Sequence, residues 1–100
     1  MGGAHIEYAM TVKYFANYRD ITKKKEENAA AAPDVWALLA ALGERYGPAM
    51  KAKLFSADGT DINGETIILV NGRNIHHING KHTPLTETDE ISIFPVVAGG

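Results

Sequence analysis

The sequence predicts an α+β domain, a mixed sheet with one principal helix laid across a face. Three observations predict it. Apolar residues alternate near both ends of the chain, at Met10, Val12 and Tyr14 and again at Ile91 and Ile93, which is the period of a half-buried strand. Between them lies one long amphipathic stretch, PDVWALLAALGERYGP. Asn71-Gly72 separates two further apolar runs, and a tight hairpin turn needs the positive φ that Asn and Gly tolerate.

The first strand is read from the run Ile6, Tyr8, Met10, Val12, Tyr14, all on one face of an extended chain. Residues 1–9 are read as an extension of that strand or an expression remnant, with Met10 an alternative start. The stretch ITKKKEENAAAA then reads as a second, exposed strand paired with the first. Its run of lysines and glutamates is a solvated edge rather than a binding patch, and edge lysines discourage aggregation.

In the helix, Asp34 is the natural N-cap. Val35, Leu38, Leu39, Leu42 and Tyr46 form the buried stripe, and Gly47-Pro48 stops it. Trp36 falls beside the stripe and reads as a core-margin residue rather than a ligand platform. A short helical turn and a polar loop follow, with turns at Asp58-Gly59 and Asn63-Gly64. The hairpin across Asn71-Gly72 leads to a last loop, HTPLTETDE, and a closing strand at residues 90–94. The first strand is expected to sit centrally, beside the last.

Composition excludes several function classes. One hundred residues, 45% hydrophobic and 22% charged, suit one ordinary domain. The net charge of −2 with scattered Lys and Arg argues against nucleic acid or an anionic membrane as partner. No run is long enough for a membrane span, so the expected compartment is the cytoplasm. With no cysteine at all, thiolate catalysis, disulfides and cysteine-held metals are out. Nucleotide-binding glycine motifs and nucleophile elbows are missing. His76 and His77, read as neighbours on a strand, point to opposite faces and cannot share a metal. Asp58, Asp61 and Glu65 lack the spacing of a calcium loop. No catalytic and no metal-binding residue is assigned.

What remains is the end, DEISIFPVVAGG. A closing Gly-Gly packs nothing and costs entropy to order. It is either a remnant or a slim peptide end able to thread a narrow tunnel and present a carboxylate. The stretch from Pro95 to Gly100 reaches about 15–20 Å. Adenylation by a partner would make that carboxylate an acylating agent, and a sulfur donor could then displace AMP. A protein without cysteine could carry sulfur in this way, on its last backbone carbon.

From Met10 onward the chain resembles the MoaD family of ubiquitin-like sulfur carriers, the small subunits of molybdopterin synthase. The resemblance rests on VKYFANYRD, DVWALLAALGERYG, ILVNGRNI and TPLTETDEISIFPVVAGG, which span most of residues 10–100. It implies a β-grasp fold, a curved mixed sheet of four to five strands gripping one main helix. It implies that Gly100 is adenylated and converted to a thiocarboxylate. Phe94, Pro95, Val96, Val97, Ala98 and Gly99 would then form the tail that lies in a partner's groove. The implied partners are an adenylating enzyme of the MoeB or ubiquitin-activating kind, which would use ATP and Mg²⁺, and a MoaE-like large subunit in a heterotetramer. The chain itself would bind no cofactor and would be a sulfur-carrying cosubstrate rather than an enzyme. Three departures stand out. FPVVAGG has one proline where the family often has two, a drift toward ThiS, the thiamin sulfur carrier. TETDE replaces a glycine-containing turn, and residues 1–9 precede the usual start. The same activated tail would also suit tRNA thiolation, thiamin or cysteine synthesis, or conjugation to lysines. A passive ubiquitin-like interaction domain is the reading of another class.

Overall fold

The structure is a computed structural model and describes residues 9–96. The expected strand positions of Ile6 and Tyr8 lie outside the described residues. Five strands form one sheet in the order β2-β1-β5-β3-β4. They are β1 (Ala9–Tyr14), β2 (Glu26–Ala30), β3 (Thr66–Val70), β4 (Arg73–Asn74) and β5 (Glu90–Pro95). β1 and β5 run parallel in the middle, and the other pairs are antiparallel. This is the β-grasp arrangement, α+β with the helices packed on one face.

Alternation sets the faces. Met10, Val12 and Tyr14 of β1, Ile91 and Ile93 of β5, and Ile68 and Val70 of β3 point inward and are buried. Against them pack Val35, Leu38, Leu39 and Leu42 of α2 (Val35–Tyr46), and Met50 and Leu54 of α3 (Pro48–Leu54). Helix α2 starts where the sequence places it: Asp34 Oδ1 accepts from the Ala37 amide at 2.8 Å. It stops at Gly47, whose φ of 85° a side chain would strain, and Pro48 opens α3 at once. The expected single helical turn after Pro48 is therefore a seven-residue helix. Trp36 packs edge-to-face on Phe55 at 5.1 Å, with the Lys81 ammonium 4.9 Å from its ring centroid.

Two departures from the expected order have local causes. Residues 17–22, read as the end of the first strand's stretch and the start of the second strand, form a helix, α1 (Asn17–Thr22). Tyr18 and Thr22, four apart, are its buried side. Thr22 Oγ1 accepts from the Lys24 amide at 3.2 Å, and Lys23 in the left-handed region ends the helix. The β-branched Ile21 and Thr22 carry strand propensity, and tertiary burial overrides it.

The return strand of the Asn71-Gly72 hairpin is only Arg73–Asn74. Asn71 and Gly72 do adopt positive φ, 52° and 82°. The Asn74 side chain then accepts from the His76 amide at 2.9 Å and starts a 3₁₀ turn, Ile75–His77, that buries Ile75. His76 and His77 thus lie exposed on a turn, and the strand argument about their faces does not apply. Among the described residues no cluster of His, Asp and Glu is placed to hold a metal. No helix there is long and apolar enough to cross a membrane.

Candidate functional site

The last strand ends where the tail begins. Pro95 is still paired with Thr66 and Phe94 with Ile67. The Val96 amide then donates to the Glu65 carbonyl at 2.8 Å. Phe94 thus lies in the closing strand expected at residues 90–94, and Pro95, expected in the tail, is the last residue of that strand. Of the tail residues singled out in the sequence, only Val96 lies among the described residues beyond the strand, and it is exposed. Val97, Ala98, Gly99 and Gly100 lie outside the described residues.

Three elements converge to hold this strand end. Thr66 Oγ1 donates to the Lys53 carbonyl at 2.6 Å. Its one proton is thereby committed, so the Tyr18 hydroxyl is the donor in the 2.6 Å contact with Thr66. α1, α3 and the start of β3 are tied at one point, one register position from the root of the tail. Burial pushes the Tyr18 hydroxyl above its ordinary range, and the Glu65 charge adds to the rise. Nothing in the sequence except the four-residue spacing of Tyr18 and Thr22 pointed to this junction.

On the outer face of the sheet the side chains alternate to Lys13 of β1, Ser92 and Phe94 of β5, and Ile67 and Leu69 of β3. Phe94 stacks on Phe15 with centroids 4.1 Å apart and planes 10° from parallel. The Arg19 guanidinium lies 5.3 Å from the Phe15 centroid, and its Nε donates to the Tyr14 carbonyl at 2.8 Å. Lys13 pairs with Glu90 at 3.2 Å. Phe15, Phe94, Ile67 and Leu69 are half-buried, an apolar strip continuous with Val96.

The opposite end of the sheet carries a buried carboxylate. Glu27 of the edge strand β2 accepts from the Tyr14 hydroxyl at 2.6 Å and from the Tyr46 hydroxyl, and pairs with Lys24 and Arg45. Burial pushes the Glu27 carboxyl up, but the two hydroxyls, Lys24 and the Arg45 charge together hold it below its ordinary value. Burial, reinforced by Glu27, raises Tyr14 far above the normal phenol range. This cluster locks the end of α2 to β2.

An apolar groove of about 770 Å³ lies between α2, α3 and the loop around Asp58 and is lined by Trp36 and Phe55 among others. Size alone makes it the default ligand site, yet it holds no converging polar set. Asp58 beside it is engaged by the Ser56 hydroxyl and by the Thr60 amide and hydroxyl, which bring its carboxyl down to about 2. A smaller, polar groove of about 340 Å³ adjoins the tail root and is walled by Asn17, Lys53, Thr66, Pro95 and Val96. It shares Ala52 and Asn63 with the larger one. In the larger groove the Ser56 hydroxyl does meet Asp58 at 2.7 Å, but a carboxyl brought down to about 2 is too weak a base to activate it. The chemistry this geometry supports is presentation: a peptide end leaving a firmly held strand beside an apolar strip.

Comparison with known proteins agrees with that geometry. The ThiS family profile matches residues 12–100. Small archaeal modifier protein 3 of Haloferax volcanii is 30% identical over 96 residues, covering 91% of this chain and 98% of that protein. An Archaeoglobus fulgidus protein provisionally named a sulfur carrier is 38% identical over 63 residues, 63% of this chain and 69% of its own. Among solved structures, small archaeal modifier protein 1 of Methanosarcina acetivorans superposes with a TM-score of 0.82 at 34% identity, covering 97% of this chain and all of that one. A provisionally named molybdopterin converting factor subunit 1 of Pyrococcus furiosus gives 0.71 at 25%, covering 91% of this chain and all of its own. With its β-grasp sheet and a profile match that spans the helices and the tail, this chain belongs to the ThiS family of ubiquitin-like sulfur carriers and modifiers.

Proposed function

We propose that the chain carries sulfur on its C-terminal carbon. A partner enzyme would couple the Gly100 carboxylate to the α-phosphate of ATP with loss of pyrophosphate. A sulfur donor would then attack the acyl carbon and expel AMP, leaving a thiocarboxylate. The observation that carries this reading is the strand end: β5 is held up to Pro95 by pairing with β3, and the family match continues through Gly99 and Gly100. Glycine at both positions lets the peptide pass a constriction that any side chain would block. The partner docks on the outer apolar strip of Phe15, Phe94, Ile67 and Leu69, which leads directly to Val96. This chain supplies no catalytic group; the chemistry resides in the partners, in keeping with the cytoplasmic reading of the composition.

For the acceptor, the proposal is molybdopterin. The thiocarboxylate would give up its sulfur to the dithiolene inside a MoaE-like large subunit, and the likeness to the converting factor subunit 1 of Pyrococcus furiosus supports it. A second reading is favoured by two similarities of wider identity: both small archaeal modifier proteins are named for modification rather than for a cofactor. On that reading the activated Gly100 is passed to a lysine amine of a target protein.

The test is an intact mass after incubation with ATP, the host's adenylating enzyme and a sulfur donor. Exchange of one oxygen for sulfur at Gly100 is expected. An unchanged mass, with the enzyme active on another carrier, overturns carriage and favours the passive interaction domain. Dithiolene formation with the large subunit, against isopeptide-linked products on lysines, separates the two acceptors.

A further inference from the structure

We infer that the groove between α2, α3 and the loop around Asp58 is a second docking site, and that its occupant is an arginine side chain set among apolar residues of a partner protein. The hollow follows from the residues around it. Trp36 and Phe55 meet edge-to-face at 5.1 Å and stay half-buried. Ala40, Ala52, Ala57 and Gly59 stand around them, where longer side chains would fill the space. Gly43 brings the two helices together. A Cβ there would meet Lys51 Cγ at 3.0 Å and Phe55 Cε2 at 3.3 Å, so glycine lets α3 set Phe55 this close to α2. The resulting volume, about 770 Å³, falls within the range of about 300–1,000 Å³ found for ligand clefts.

Charge decides the occupant. Of the charged side chains lining the groove, Glu44 and Lys51 neutralise each other at 2.7 Å. Asp58 remains, and its partners are all neutral: the Ser56 hydroxyl at 2.7 Å, the Thr60 amide at 3.1 Å and the Thr60 hydroxyl at 2.8 Å. All three donate to Oδ1, which leaves Oδ2 without a hydrogen bond among the described residues. Those bonds bring the carboxyl down to about 2, so it is charged at physiological pH. Lys81 does not offset it: its ammonium lies over the Trp36 ring and donates to the Thr60 carbonyl. The groove thus presents one fixed negative charge beside an aromatic corner. Arginine suits that pairing better than lysine, because a guanidinium is more weakly hydrated and stacks on aromatic faces. Its stem and its apolar neighbours cover Trp36 and Phe55 while the head donates to Oδ2. The site does not involve the terminal carboxylate, so it stands whether or not sulfur is carried. It also lies on the helical side of the sheet. A protein held there leaves the outer strip of Phe15 and Phe94 free for the enzyme that charges the tail.

The probe is a blocked peptide, acetyl-Gly-Leu-Arg-Leu-Gly-amide, titrated into the full chain and followed by the Trp36 indole N–H resonance. A saturable shift with a Kd at or below about 1 mM is expected. The same peptide with glutamine in place of arginine should bind about tenfold more weakly. Asp58→Asn keeps the Oδ1 acceptor and removes the charge, so the loop is retained and the two peptides should bind alike. An indole that does not shift, equal binding of both peptides to the unaltered chain, or shifts centred on Phe15 and Phe94 would each overturn the inference. A preference for arginine that survives Asp58→Asn would do the same. So would an indole shift that follows protein concentration without peptide, which assigns the groove to a second copy of this chain.

Discussion

Tyr18 and Thr66, forty-eight positions apart, share a buried 2.6 Å hydrogen bond in which Tyr18 is the donor. Thr66 passes its own proton to the Lys53 carbonyl. The bond joins the first helix to β3, the strand paired with the one that carries the tail root, so its loss is felt beside that root.

Removing either side of that bond has unequal costs. Tyr18→Phe leaves Thr66 bonded to Lys53 and should cost about 0.5–1.5 kcal/mol. Thr66→Val strands a buried phenol with only a 3.3 Å contact to the Lys53 carbonyl and should cost about 1–3 kcal/mol. Urea denaturation of both singles and the double mutant should give a strongly non-additive cycle. Equal costs that add would show that the two hydroxyls act independently.

Acid should unfold the domain partly through Glu27. Its folded pKa is lowered, so the stability it contributes is present above the unfolded value of about 4.5 and is lost as pH falls through the folded value. Asp89, also lowered, acts in the same direction. Glu27→Gln removes the titration and should flatten the fall in stability between pH 5 and 3, measured by urea midpoints at about half-unit steps. Glu27→Ala also strips the acceptor from Tyr14 and Tyr46 and should cost roughly 1.5–3 kcal/mol at pH 7. A slope unchanged in Glu27→Gln would assign acid sensitivity elsewhere.

The Asn71-Gly72 turn is fixed by more than its dihedrals. Asn71 Oδ1 accepts from the Glu90 amide at 2.9 Å, and its Nδ2 donates to Asp89 at 2.8 Å. Gly72→Ala, at φ 82°, should cost about 1–2 kcal/mol. Asn71→Ala forfeits both side-chain bonds and should cost at least as much. Thermal melts should show drops of roughly 4–8 °C per kcal/mol. A melt unaltered in Gly72→Ala would mean the turn relaxes to another type.

Partner engagement should depend on the stacked pair. Phe15→Ala removes an edge of the outer strip and a stacking interaction worth about 0.5–1.5 kcal/mol, leaving the inner core untouched. The folded fraction at 25 °C should stay near complete. The concentration of chain needed for half-maximal charging by the adenylating enzyme should rise about tenfold, one 1.4 kcal/mol step. Unchanged charging would move the docking surface off this face.

Most of the fold was legible because the residues that build it follow one period each. Met10, Val12 and Tyr14 alternate, Leu38, Leu39 and Leu42 recur at helical spacing, and Asp34 and Gly47 mark the ends of α2. The short helix at Asn17–Thr22 was not legible, since its buried side is two residues and its last residues favour strands. Nor was the early end of β4, decided by one side chain, Asn74, bonding to a nearby amide. The candidate site divides in the same way. Its family was readable in the stretches that end in the terminal glycines, whereas the boundary between strand and tail was not. That boundary depends on Thr66 and Glu65, about thirty positions from the residues they hold.

The placement of β5 between β1 and β3 has a mechanical consequence. A partner that draws the tail into a tunnel applies force along the strand axis, with ladders on both sides resisting together. On one of those sides the neighbour runs parallel. The bonds of both ladders are then loaded in shear along their whole length, and cannot open one at a time like a zip. If the tail is threaded as proposed, traction would stop at Pro95, and the domain would act as a collar that sets how deep its own end can be inserted.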